Sequence, residues 1–120
     1  MKLAKARGIS VALGVWVEPG KTAENHAAIK EAMSQAQQYG NVVHVVVGNE
    51  VNRQDVFKFT PQEVTDLLNW AKALPNRPPV TSCFSGTVLQ PGSPIDWTAA
   101  VQACEQVVYL TEPFAKLLNS

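Results

Sequence analysis

Strand-like and helix-like hydrophobic periods alternate along the whole chain, and this alternation limits the folds open to it more than any other feature. Ile9, Val11, Leu13, Val15 and Val17 share one parity, which is the two-residue period of a β-strand. Glu18-Pro19-Gly20 breaks it, and Ile29, Ala32, Met33, Ala36 and Tyr39 then recur at helical intervals up to Gly40, which is placed to close the helix. Val42 to Val47 is β-branched except for His44, the pattern expected of a parallel strand buried on both faces.

A second helix is signalled by Thr60-Pro61-Gln62-Glu63. Thr60 can accept from the amide of Glu63, the Glu63 side chain can reach back, and Pro61 suits a first helical position that needs no amide hydrogen. Val64, Leu67, Leu68, Ala71 and Leu74 form its apolar stripe, and Pro75 stops it. A third strand is expected from about Pro79 to Phe84. After a turn-rich stretch, Ser93-Pro94 starts a helix carrying Ile95, Ala99, Val101 and Cys104. A fourth strand spans Val107 to Thr111, and Phe114 to Leu118 can add a further helical turn.

Strand starts near 9, 42, 79 and 107 are separated by 33, 37 and 28 residues, close to one βαβ unit each. Four parallel strands with three crossover helices follow, in a single domain over residues 1–120. A small doubly wound sheet and half of a (β/α) barrel both satisfy this period.

Charge and motif content exclude several functions. Ten basic residues balance ten acidic ones without a basic cluster, so nucleic acid and anionic membrane are not expected partners. No apolar run approaches the roughly 20 residues of a membrane span, and no signal peptide is visible, so a soluble chain is expected. Two histidines and two cysteines are scattered without ligand spacing, and neither Gly14 nor Gly48 opens a phosphate-binding loop, so no metal or other cofactor is expected. Cys83 and Cys104 read as buried free thiols.

Functional side chains of parallel α/β folds gather at the carboxyl ends of the strands. Gly48-Asn49-Glu50 lies there, with a glycine for close approach, an amide that donates and accepts, and a carboxyl able to act as a general acid. A strand-ending cap is the alternative role for the same residues. Trp16 ends the first strand on the same rim, where stacking on a sugar ring and ordinary rim packing both suit it. His44 is expected to be a hydrogen-bonded core residue deep in the sheet, His26 to face solvent from its helix, and Trp70 and Trp97 to dock helices onto neighbours.

The segments Ala-Arg-Gly-Ile-Ser-Val-Ala-Leu-Gly-Val-Trp (6–16), Tyr-Gly-Asn-Val-Val-His-Val-Val-Val-Gly-Asn-Glu-Val (39–51) and Pro-Val-Thr-Ser (79–82), taken in order, resemble glycoside hydrolase family 17. That family comprises chiefly β-1,3-glucanases and glucan-remodelling transglycosylases. The resemblance implies strands three to six of a TIM barrel, a half-barrel, with Glu50 as acid/base and Asn49 hydrogen-bonded to a sugar 2-hydroxyl. Arg53 arrives one position earlier than the family's arginine, with contact to sugar or support of Glu50 as its implied roles.

Retaining glycosidases need a second carboxylate about 5 Å away. The family's Glu-Thr-Gly-Trp-Pro nucleophile segment does not occur in these 120 residues. The nucleophile is therefore expected from outside this chain; Glu112, before Pro113, is the alternative, but the family more often has His or Tyr near a proline there, and a strand-ending carboxylate restrained by proline is the expected role. A four-stranded piece of barrel has two edges and an apolar face to cover, so a homodimer or higher self-association is expected. Hydrolysis or transglycosylation of a β-glucan and silent sugar binding by a remnant are the two functional expectations.

Overall fold

The structure is a computed structural model that describes residues 10–54, 58–85 and 95–110. Its elements run β1 (Val11–Val15), α1 (Thr22–Gln38), β2 (Val42–Val47), α2 (Pro61–Lys72), β3 (Val80–Thr81), β4 (Cys83–Phe84), α3 (Thr98–Ala103) and β5 (Tyr109–Leu110). All strand pairs are parallel. β1, β2 and β3 lie side by side in that order, and β4 pairs with β5.

The expected third strand is thus divided at Ser82. Before the break it pairs with β2, and after it with β5. The Ser82 hydroxyl donates to the Val47 carbonyl at 2.6 Å, while its own carbonyl accepts from Tyr109 at 3.2 Å. A fully buried polar residue therefore joins the two short sheets where the regular ladder is interrupted. Among the described residues the strand order within each sheet is sequential, without the reversal that marks the switch point of a doubly wound sheet.

One core sits between the strands and the helices. Val15, Val17, Val45, Val47, Val80 and Phe84 meet Ile29, Ala32 and Met33 of α1, Val64, Leu68 and Ala71 of α2, and Ala100 and Ala103 of α3. Burial of one side chain such as Ile29 or Leu68 is worth about 1.5–3 kcal/mol. The opposite face is exposed along Ala12 and Gly14 of β1, half-buried at His44 and Val46 of β2, and closed at Thr81 of β3. Burial of β2 on both faces, expected from its β-branched composition, therefore gives way to burial at Val45 and Val47 alone, with Val43 at the start of the strand exposed. Composition records that the strand is apolar but not how far its second face is covered.

The capping box of α2 forms as its sequence requires. Glu63 donates its amide to Thr60 Oγ1 at 3.1 Å, Thr60 donates its amide to Glu63 Oε1 at 3.2 Å, and Pro61 occupies the first turn. The second carboxylate oxygen of Glu63 accepts from Gly20 at 3.2 Å, so the cap also ties down the turn that precedes α1. Trp70 docks α2 onto α1 by stacking on His26, with centroids 3.8 Å apart and planes within 4°. His26 is thus half-buried against an aromatic face rather than directed at solvent.

Other boundaries move for local reasons. β1 is shorter than the alternation, and Ile9 lies outside the described residues. α1 closes at Tyr39, in extended backbone, with its amide on Gln35, and Gly40 supplies no left-handed cap. α3 is six residues long with Trp97 at its N-cap; Ala100 and Ala103 are buried, whereas Ala99 is exposed. Trp97 is packed edge-on against Phe84 at 6.3 Å. Gln106, at φ 65°, turns the chain into β5, which is why the strand begins later than Val107. Ser93, Pro94, Thr111, Glu112 and the expected turn from Phe114 to Leu118 lie outside the described residues.

Candidate functional site at the carboxyl ends of the strands

The loop after β2 is built by backbone geometry that few residues tolerate. Gly48 extends the ladder by donating to the Val15 carbonyl at 2.9 Å, and it has φ 80°. A Cβ there would lie 2.4 Å from Val51 Cγ1 and 3.2 Å from Val17 Cγ2, both belonging to buried side chains. Two residues later Glu50 itself is left-handed, with φ 52°. For a residue with a Cβ this conformation costs on the order of 1–2 kcal/mol, and such strain persists only where the surroundings impose it.

Those surroundings are specific. Val51 donates its amide to the Cys83 carbonyl at 3.2 Å and buries its side chain completely. Asn52 exchanges two hydrogen bonds with Ser85: its Nδ2 donates to the serine Oγ at 3.0 Å, and its Oδ1 accepts from the serine amide at 2.8 Å. The turn is closed by the Arg53 amide on the Glu50 carbonyl at 3.0 Å.

The Glu50 carboxylate accepts from Arg53 Nη1 at 2.9 Å, and the Glu50 side chain is 21% exposed against 38% for Arg53. Two of the expected site residues are thereby brought together, with Arg53 bracing Glu50. Asn49 is exposed on the same turn. Cys83 lies under it: burial pushes its thiol above the ordinary value, a hydrogen bond from the Glu50 backbone works against this, and the Glu50 charge adds to it. The thiol is held protonated and free, a packing group rather than a nucleophile.

On the neighbouring strand end, Trp16 is 63% exposed and donates its indole N–H to Glu18 Oε1 at 3.4 Å. Lys21 pairs with the other Glu18 oxygen at 2.8 Å. Hydrogen bonds from Lys21 and Trp16, followed by the lysine charge, hold the Glu18 carboxyl below its usual value. Trp16 also walls an open groove of about 260 Å³ with Leu13, Ala28 and Glu31. Its ring therefore combines an accessible face with packing along the edge of β1.

Deeper on the same side, His44 bridges two groups from the far end of the chain. Its Nδ1 is 3.3 Å from the Tyr109 hydroxyl and its Nε2 is 3.3 Å from Gln106 Oε1. The expected hydrogen bonding of His44 is present, but the residue is half-buried on the less covered face rather than sealed in the core. Glu112, the expected alternative nucleophile, lies outside the described residues.

Sequence reasoning passed over four residues of this rim. Glu18 looked like part of a strand-ending turn. Asn25 is 5% exposed and holds the Glu18 backbone through its amide and its carbonyl oxygen, at 2.7 and 3.0 Å. Its helical offset of four from Ile29, a polar residue on an apolar stripe, was the available signal. Asn52 and Ser85 are 33 residues apart and carry no local signal that they pair.

Among the described residues no group of three or more His, Cys, Asp or Glu side chains is arranged to hold a metal, and no helix is long and apolar enough to cross a membrane. In comparisons with protein-family models, curated proteins and solved structures, the chain shows no match.

Proposed function

We propose that the chain is a glycoside hydrolase-type half-barrel in which Glu50 is the acid/base for retaining cleavage or transglycosylation of a β-1,3-glucan or related β-glucoside. The observation that carries this reading is the left-handed Glu50, at the carboxyl end of β2, one strand away from the exposed Trp16. The sequential parallel order and the single helix-side core among the described residues support the barrel segment over a doubly wound sheet.

In this mechanism the Glu50 carboxyl protonates the glycosidic oxygen and then, as carboxylate, takes a proton from the incoming water or sugar hydroxyl. Asn49, exposed on the same turn, is positioned to hydrogen-bond a sugar hydroxyl, and Trp16 offers an aromatic face to a pyranose ring. The nucleophile that attacks the anomeric carbon is supplied from outside this chain, with Glu112 as the alternative within it. Release of reducing ends from a soluble β-1,3-glucan is the direct test. The reading predicts release that is abolished by Glu50→Gln and unaffected by Glu112→Gln; loss in Glu112→Gln would instead assign the nucleophile to Glu112.

A second reading, a catalytically silent sugar-binding domain, is favoured by one specific observation: one oxygen of the Glu50 carboxylate, Oε2, is already engaged by Arg53 Nη1 at 2.9 Å. It predicts oligosaccharide binding without turnover. In either reading we propose that a second copy covers the face exposed at Ala12 and Gly14 of β1.

A further inference from the structure

We propose that Asn52 is a positioning residue for Glu50, holding the carboxylate on the rim by pinning the far end of its turn to Ser85; this rests on the assignment of Glu50 as the acid/base. Three residues separate the anchored amide of Gly48 from Asn52, and within them the chain leaves β2, turns back and crosses to the end of β4. The near anchor is the Gly48 amide on Val15, and the middle one is the Val51 amide on Cys83. The far anchor is the paired exchange between Asn52 and Ser85, at 3.0 and 2.8 Å, against a serine only 7% exposed.

With both ends fixed, Glu50 is the non-glycine residue that takes up the reversal, at φ 52°. Released at Asn52, a residue with a Cβ gains by returning to negative φ. That movement swings the carboxylate away from its place and separates it from Arg53, whose own position follows Asn52 directly in sequence. An aspartate at this position could accept from both the Ser85 amide and its hydroxyl, whereas alanine loses both bonds.

The one-bond Cα–Hα coupling of Glu50 in ¹³C-labelled full-length protein reads the sign of φ directly and does not depend on turnover. Asn52→Ala is expected to move this coupling to the negative-φ range, while amide resonances of α1 and α2 stay in place. Ser85→Ala, which removes one of the two bonds, is expected to give a smaller shift in the same direction. If the parent chain cleaves glucan, Asn52→Ala lowers kcat by about 10- to 100-fold, the scale of a misplacement near 1 Å, with KM little changed.

An unchanged Glu50 coupling in folded Asn52→Ala overturns the proposal. If that variant does not fold, an unchanged coupling in Ser85→Ala does so instead. A parent chain that cleaves no glucan defeats the hydrolase reading alone, because the coupling still decides whether Asn52 sets the Glu50 conformation.

Discussion

Replacing Gly48 by alanine probes the backbone on which the Glu50 turn is built. Two costs combine. The left-handed φ of 80° costs a residue with a Cβ about 1–2 kcal/mol. The new methyl would lie 2.4 Å from Val51 Cγ1 and 3.2 Å from Val17 Cγ2, and with Val51 1% and Val17 3% exposed neither has space to retreat. Overpacking of this kind costs about 1–3 kcal/mol.

The combined loss is on the order of 2–5 kcal/mol, a large share of the roughly 5–15 kcal/mol that stabilises a domain. Urea unfolding followed by tryptophan fluorescence measures it, with the buried Trp97 as reporter. For a denaturant slope near 2 kcal/mol per molar, the midpoint should fall by about 1–2.5 M. Gly14→Ala is the internal control, because Gly14 has no atom within 4 Å of its added Cβ and no positive φ. It should leave the midpoint unchanged or slightly raised. An unshifted midpoint for Gly48→Ala, or an equal fall for Gly14→Ala, would refute the reasoning.

Three further outcomes are expected. Thr60→Ala removes one half of the α2 capping box and should cost about 1 kcal/mol in the same urea assay. Burial raises the Glu105 carboxyl, but hydrogen bonds from the Val80 amide and Arg77, with the charges of Arg77 and Lys72, outweigh it and leave the group below its ordinary value. Its stabilising effect is therefore complete above the unfolded carboxylate range and is lost as pH falls through the lower folded value; Glu105→Gln should flatten that acid limb in pH-dependent unfolding. Light scattering after size-exclusion chromatography should give a mass above the 13.0 kDa monomer, and a monodisperse monomer would end the self-association proposal.

What the sequence disclosed, and what it withheld, follows the range of the interactions involved. The parity of Val15 and Val17, the helical stripe from Val64 to Ala71 and the Thr60–Glu63 cap are each decided within a few residues, and all three were legible. The break at Ser82 was not, because it arises when one segment exchanges β2 for β5 as neighbour. Short α3 escaped for a related reason. Alanines at 99 and 100 are equivalent as sequence, and packing beside α2 selects the second.

The candidate site divides in the same way. Gly48-Asn49-Glu50 at a strand end was visible from strand period and motif, and Arg53 could be named beside it. The conformation that aims Glu50 was not visible, since nothing in its own residue type calls for positive φ. That conformation depends on Cys83 and Ser85, more than 30 residues further on. His44 shows the same limit: its need for hydrogen bonds was clear, but Gln106 and Tyr109 as partners required the fold.

The central claim, that the rim around Glu50 receives a β-linked glucan, is tested most directly by titrating isotope-labelled protein with a β-1,3-gluco-oligosaccharide and following its amide and indole resonances. The account predicts shifts in the Trp16 indole and in residues 48–53, retained in Glu50→Gln. Unshifted spectra at saturating sugar, or shifts confined to the helix side around Trp70, would contradict it.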